Sequence, residues 1–102
     1  MLLVREIFHC KPGKVRPMVE KFLAMSKLME KSGVGRMRVM TDFCGERYWT
    51  VVSDFEVASM AAFEEMMSAP PSGDDAKEME KIMKDYHDLV ESGRREIYKI
   101  EA

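Results

Sequence analysis

Residues 5–8 read REIF and residues 95–98 read REIY, one tetrad with Phe8 exchanged for Tyr98. Two near-identical, strand-like pieces at opposite ends of a chain fit one design: neighbouring antiparallel strands of a single sheet. Setting Arg5 against Glu96 and Glu6 against Arg95 also brings Val4 to Ile97 and Leu3 to Tyr98. Each tetrad then supplies the opposite charges the other needs, each cross-strand pair contributing about 0.2–1 kcal/mol.

The segments between them have distinct periods. Leu2–Cys10 is apolar and short, and Lys11-Pro12-Gly13 ends it, so it reads as a strand and a turn. Val15, Met18, Val19, Phe22, Met25 and Met29 then recur at helical steps. Pro17 falls in the first turn, where its missing N–H costs little, and Gly33 stands where a left-handed cap would stop the helix. Arg36–Phe43 alternates, Cys44-Gly45 reads as a two-residue hairpin turn that sets Asp42 opposite Arg47, and Arg47–Phe55 follows as a strand. Ser59 is placed to cap a short helix with Met60, Phe63 and Met67 inward. The stretch APPSGDD (69–75) breaks it, and Asp74 or Asp75 can start another helix. There Met79, Ile82, Met83, Tyr86, Leu89 and Val90 form an amphipathic stripe, with Gly93 as its end and Arg94–Ile100 as the last strand.

That order, βαββαβ with the second helix broken, defines an α+β, ferredoxin-like fold. Right-handed split crossovers give a four-stranded antiparallel sheet in the order 4-1-3-2, with the helices on one face. The chain of 102 residues is expected to form one domain over residues 1–102.

Composition removes several function classes. The net charge of −2 argues against a nucleic-acid binder. No run of about 18 apolar residues suggests a membrane span, and the N-terminus becomes charged too soon for a signal peptide. Cys10 and Cys44 do not read as a disulfide framework, so reduced thiols and a cytoplasmic setting are expected. The eleven methionines fall mostly on inward helix faces, where flexible thioethers fill irregular cores or line adaptable pockets.

The inner strands look apolar on both sides: Leu3, Ile7, Tyr48 and Val52 in one direction, Leu2, Val4, Phe8, Trp49, Val51 and Phe55 in the other. Helices cover one face only. Leaving large apolar side chains of the other in water forgoes roughly 1.5–3 kcal/mol each. The expected partner is a second copy, sheet on sheet about a two-fold axis.

With these features the chain resembles the dimeric α/β-barrel superfamily, and within it NIPSNAP-like proteins. The likeness rests on REIFHCKPGK (5–14), WTVVSDFEVASMAAFEEM (49–66) and LVESGRREIY (89–98), together with the element order. It implies a homodimer of facing sheets, a homodimeric α/β barrel, with a cleft in each subunit between sheet and helices. It implies no single activity, because the superfamily includes cofactor-free monooxygenases, heme-binding relatives and lactone-forming enzymes. The helix after the third strand, SMAAFEEMM, lacks the histidine that many monooxygenase relatives carry there.

The topology gathers His9, Cys10, Lys11, Asp42, Cys44, Glu46, His87 and Arg94 at one end of the sheet. His9 is the best candidate for chemistry: a neutral imidazole can take a proton from a phenol-like substrate. The plainer reading is a strand-end imidazole bonded to backbone or water. Arg38 is the candidate anion stabiliser. Arg36, Tyr48, Trp49 and Tyr98 are candidate ligand contacts, guanidinium and indole suiting a planar anion. Arg36, Arg38, Arg47 and Trp49 share a face if the two-residue turn holds. Neither a metal nor another cofactor is expected. His9 and Cys10 point to opposite faces, and a strand lies between Cys10 and Cys44. The leading expectation is a small homodimer that binds an aromatic or hydrophobic molecule in the sheet–helix cleft. The alternative is a cofactor-free monooxygenase of phenols or quinols.

Overall fold

A computed structural model of the chain describes residues 1–31, 33, 35–68 and 73–102. Its elements are β1 (Leu2–Cys10), α1 (Val15–Lys31), β2 (Arg38–Thr41), β3 (Thr50–Val57), α2 (Met60–Ser68), α3 (Asp74–Met83), a 3-10 turn (Tyr86–Asp88) and β4 (Val90–Lys99). The strands form one antiparallel sheet in the order β2-β3-β1-β4. This is the expected ferredoxin-like order counted from the other edge.

The two terminal tetrads pair in the expected register. Arg5 lies opposite Glu96, Glu6 opposite Arg95, Val4 opposite Ile97 and Leu3 opposite Tyr98. Arg95 donates through Nε to Glu6, and Arg5 approaches Glu96 at 3.9 Å. Complementary charge and alternating apolar residues thus select one register, because a one-residue slip would turn every side chain to the wrong face.

The even-numbered residues of β1 face the helices. Val4 and Cys10 join Met18, Val19 and Phe22 of α1 and Val51 and Phe55 of β3 in the core. Phe8 meets Phe22 with ring centroids 5.4 Å apart. Helix α1 stops where Gly33 turns left-handed (φ 74°) and donates its N–H to the Glu30 carbonyl. Ser59 caps α2 as expected, its hydroxyl accepting the Ala62 N–H at 3.1 Å. Phe63 is buried, but Met60 and Met67, expected inward, are about half exposed. Of the APPSGDD breaker, residues 69–72 lie outside the described residues; α2 ends at Ser68 and α3 begins after Gly73.

Three expectations need correction. The β2–β3 connection is not a two-residue turn. It spans residues 42–49, and Asp42 faces Thr50, not Arg47. The Asp42 carboxylate accepts the Thr50 N–H at 2.8 Å, closing the loop from inside, while Trp49 turns left-handed (φ 61°). Arg47 and Trp49 therefore belong to the loop and do not share a strand face with Arg36 and Arg38.

The stripe from Met79 to Val90 is not one helix. Helix α3 ends at Met83; Lys84 is extended (φ −56°, ψ 130°) and Asp85 is left-handed (φ 61°). The stop is stabilised from α1, because Lys21 donates through Nζ to the carbonyls of Ile82 (3.0 Å) and Lys84 (2.7 Å). Tyr86, Leu89 and Val90 still pack on the core, from the 3-10 turn and the strand. Gly93 consequently lies inside β4, not at a helix end.

The second sheet face is less oily than the alternation suggests. Ile7, Val52 and Met40 share it with Arg5, Arg38, Asp54, Arg94 and Glu96. Arg38 forks onto Asp54, Nε to Oδ1 and Nη2 to Oδ2, each at 2.7 Å. The carboxylate beneath is almost wholly covered, and the guanidinium's own affinity for its proton rises through that hydrogen bond.

Candidate functional site

Two neighbouring features occupy the end of the sheet where β1 finishes and β3 and β4 begin. They open on opposite faces and meet at Ser92 and Arg94, which line the groove as well.

The first is a polar chain on the face away from the helices. His9 is opposite Thr50 on one side and Ser92 on the other. Its Nδ1 lies 3.3 Å from the Thr50 hydroxyl, and that hydroxyl donates to the Arg47 carbonyl at 3.0 Å. The hydroxyl has one proton, already committed to Arg47, so it accepts from His9. Nδ1 therefore carries the imidazole hydrogen, and Nε2 presents a lone pair. Arg94 Nη1 stands 3.4 Å from Nε2, a donor facing that lone pair. Partial burial, then the charges of Arg47 and Arg94, hold His9 below its ordinary pKa of 6.5; Glu46 and Glu91 oppose this. The imidazole is neutral at pH 7.

The second is an open groove of about 440 Å³ between β4 and the 3-10 turn, on the helix side. Among the described residues no α-helix lines it, whereas Phe8 and Tyr86 do, their rings edge to face at 6.4 Å. His87 stacks on Tyr86 at 4.0 Å. Glu6 and Arg95 close one side, and the Arg95 guanidinium lies over the Phe63 ring at 5.2 Å. This groove is bounded by β1, β4 and the 3-10 turn rather than by the helices that the expected cleft would use. The helical stripe from Met79 to Val90 hides this lining in the sequence, because it places Tyr86 in a helix and Gly93 at the helix end, whereas Gly93 lies inside β4. A glycine inside a strand pattern is the signal that marks such a close approach.

The other anticipated residues are dispersed. Arg38 and His9 share a face but stand two strands apart and four residues along, on the order of 15 Å. Arg36 precedes β2 and is exposed. Tyr48 is exposed on the loop; Trp49 is half exposed, and its carbonyl accepts the Cys10 N–H at 2.8 Å. Tyr98 lies at the far end of β4 and donates to Glu96 at 2.9 Å. Glu96 also accepts from Arg94, and these two hydrogen bonds hold its carboxyl below the usual range. Cys10 is buried, which raises its thiol pKa, and Cys44 is exposed. Among the described residues no three His, Cys, Asp or Glu side chains gather as a metal site, and no helix is long and apolar enough to cross a membrane.

A four-stranded sheet with helices on one face and an open cleft at one end defines a ferredoxin-like α+β protein. Among solved structures the fold is that of NIPSNAP-like proteins. An uncharacterised NIPSNAP-like domain protein from Burkholderia xenovorans superposes with a TM-score of 0.76 at 13% identity, covering 99% of this chain and 85% of that one. A NIPSNAP family protein from Agrobacterium tumefaciens gives 0.74 at 15% identity, covering 97% and 92%. A dimeric protein of unknown function with a ferredoxin-like fold, from Bacteroides fragilis, gives 0.56 at 16% identity, covering 97% and 96%. No protein-family model matches the sequence, and no curated protein matches it.

Proposed function

We propose that this chain is a cytoplasmic homodimer that binds a small aromatic or hydrophobic molecule in the groove beside β4. The groove itself carries the reading. Its volume of about 440 Å³ is that of a small-molecule site, and it sets Phe8, Tyr86 and Val90 beside Glu6, Glu91, Arg94 and Arg95, a lining suited to an aromatic molecule that carries polar groups. Self-association is supported by the dimeric Bacteroides fragilis structure of the same fold. Ile7, Val52 and Met40 on the uncovered sheet face are the apolar part of a matching surface. The test is a thermal-shift screen of aromatic acids and hydroquinones against the wild type and Tyr86→Ala, with sedimentation of both. Stabilisation of the wild type alone supports the groove. Equal shifts in both proteins, or none in either, count against it.

A second reading is favoured by the polar chain at His9. A neutral imidazole with its lone pair beside a guanidinium suits a cofactor-free monooxygenase acting on a phenol or quinol, with His9 as base. In that reading Arg94, not the distant Arg38, is the nearer anion partner, and Tyr48 and Trp49, in the loop that leads into Thr50 opposite His9, are the candidate pocket wall. Oxygen uptake with hydroquinones by the wild type, absent from His9→Ala, is the expected result. Equal rates would remove His9 as the base.

A further inference from the structure

The arrangement around His9 has a use that requires neither oxygen nor the groove. An ordinary anion site collects cations. Here one cation, Arg94, faces an imidazole lone pair at 3.4 Å, and the opposite ring nitrogen is tied through Thr50 to the Arg47 carbonyl. The tie sets which nitrogen receives a proton. It also offers the resulting imidazolium a hydrogen-bond acceptor on its other side.

We propose that His9 and Arg94 form a site for a weak acid of the phenol or enol class, taken up as the neutral molecule and held as an ion pair. The O–H bond of the ligand breaks, its proton passes to His9 Nε2, and the oxyanion accepts from the Arg94 guanidinium. Charge balances within the site: one imidazolium and one oxyanion appear together. Thr50 is a positioning residue, acting through the ring. This inference rests on the second reading's use of His9 as base and Arg94 as anion partner, but it requires no oxygen chemistry: a phenol bound and ionised without oxygen uptake supports it and removes the monooxygenase.

The charged surroundings explain why a ligand is needed for the transfer. Arg47 and Arg94 disfavour a second positive charge on His9, while Glu46 and Glu91 favour it. Glu96 holds Arg94 through its Nε at 3.1 Å and leaves Nη1 directed at His9. The oxyanion that forms as the neutral ligand's O–H bond breaks offsets the arginine field, and the imidazole can then hold the proton it has received.

Coupled uptake has a pH signature. Between the pKa of His9 and that of the free acid, the neutral ligand binds the neutral site with no net proton exchange, so affinity is flat. A plain anion site takes the phenolate instead, and its affinity falls as pH drops below the ligand's pKa.

The test uses 4-nitrophenol, whose anion absorbs at longer wavelength than the acid, with quenching of Trp49, the sole tryptophan, as a second readout. The wild type is expected to bind the probe, show the anion's absorbance below the free probe's pKa, and keep a flat affinity from there down to the pKa of His9. His9→Ala and Arg94→Ala should each lose the anion band and about tenfold or more in affinity. Thr50→Val should shift the pH profile, and Thr50→Ser should restore it. The inference is overturned if the probe does not bind, if it binds without ionising, or if affinity falls with pH as for a simple anion. Binding that survives His9→Ala and Arg94→Ala but is lost in Tyr86→Ala overturns it too, and leaves the groove reading intact.

Discussion

The ring of Phe8 lies so close to the backbone of Gly93 that a β-carbon at that glycine would stand 2.8 Å from the ring's Cδ1. The two residues face each other across β1 and β4. The glycine gives up intrinsic strand stability and thereby admits a ring that also contacts Phe22 and Tyr86. Gly93→Ala is expected to destabilise the protein by about 1–3 kcal/mol, the usual range for overpacking. In a Phe8→Leu background the same change should cost much less. A double-mutant cycle by urea unfolding checks this, and additive effects would contradict it.

Lys21 joins α1 to the end of α3. Two carbonyls that the helix cannot satisfy accept from its ammonium. Lys21→Met retains the aliphatic stem and removes the donor, so it should cost about 0.5–1.5 kcal/mol. Faster amide exchange is expected in α3, with β1 and β4 unaffected.

Glu6 and Arg95 report the register of the terminal strands. Glu6→Arg places like charges opposite each other and should cost about 0.5–1 kcal/mol. Combining it with Arg95→Glu should recover most of that loss. If unfolding shows no recovery, the ion pair contributes nothing to the choice of register.

His9 sets the pH response. Its folded pKa lies below 6.5, so between the two values the unfolded chain binds more protons than the folded one. The stabilisation is present above 6.5 and is lost as pH falls through the folded value. Glu96, also depressed, adds a second loss only below its ordinary 4.5. Nuclear magnetic resonance titration of the His9 ring should show the low value. Arg94→Ala should move it toward 6.5, and Arg38→Ala should leave it in place, since Arg38 lies too far away to act.

Much of the fold was legible because its signals are local or pairwise complementary. Helix α1 follows from Met18, Val19 and Phe22 at helical steps and ends at a glycine. The β1–β4 register follows from opposite charges in the two tetrads. The β2–β3 loop was misread because Cys44-Gly45 resembles a tight turn, whereas the closure depends on the Asp42 carboxylate finding the Thr50 N–H. The candidate site was legible only as a list. His9 and Arg94 both stood on it, and the expected register already sets His9 against Ser92 and Ile7 against Arg94, but the orientation of the ring depends on Thr50 and on a loop carbonyl at Arg47.

Element order, strand pairing at the two ends and the main core helix were determined by the sequence alone, because period, charge and capping act between near neighbours or between matched segments. The true end of α3, the eight-residue loop and the His9–Thr50–Arg94 arrangement were decided only in three dimensions. Each rests on one polar group meeting a partner from a distant segment: Lys21 at Ile82, Asp42 at Thr50, His9 at Arg94. Such a bond depends on where the packed elements set its two ends, and no periodicity along the chain encodes that position.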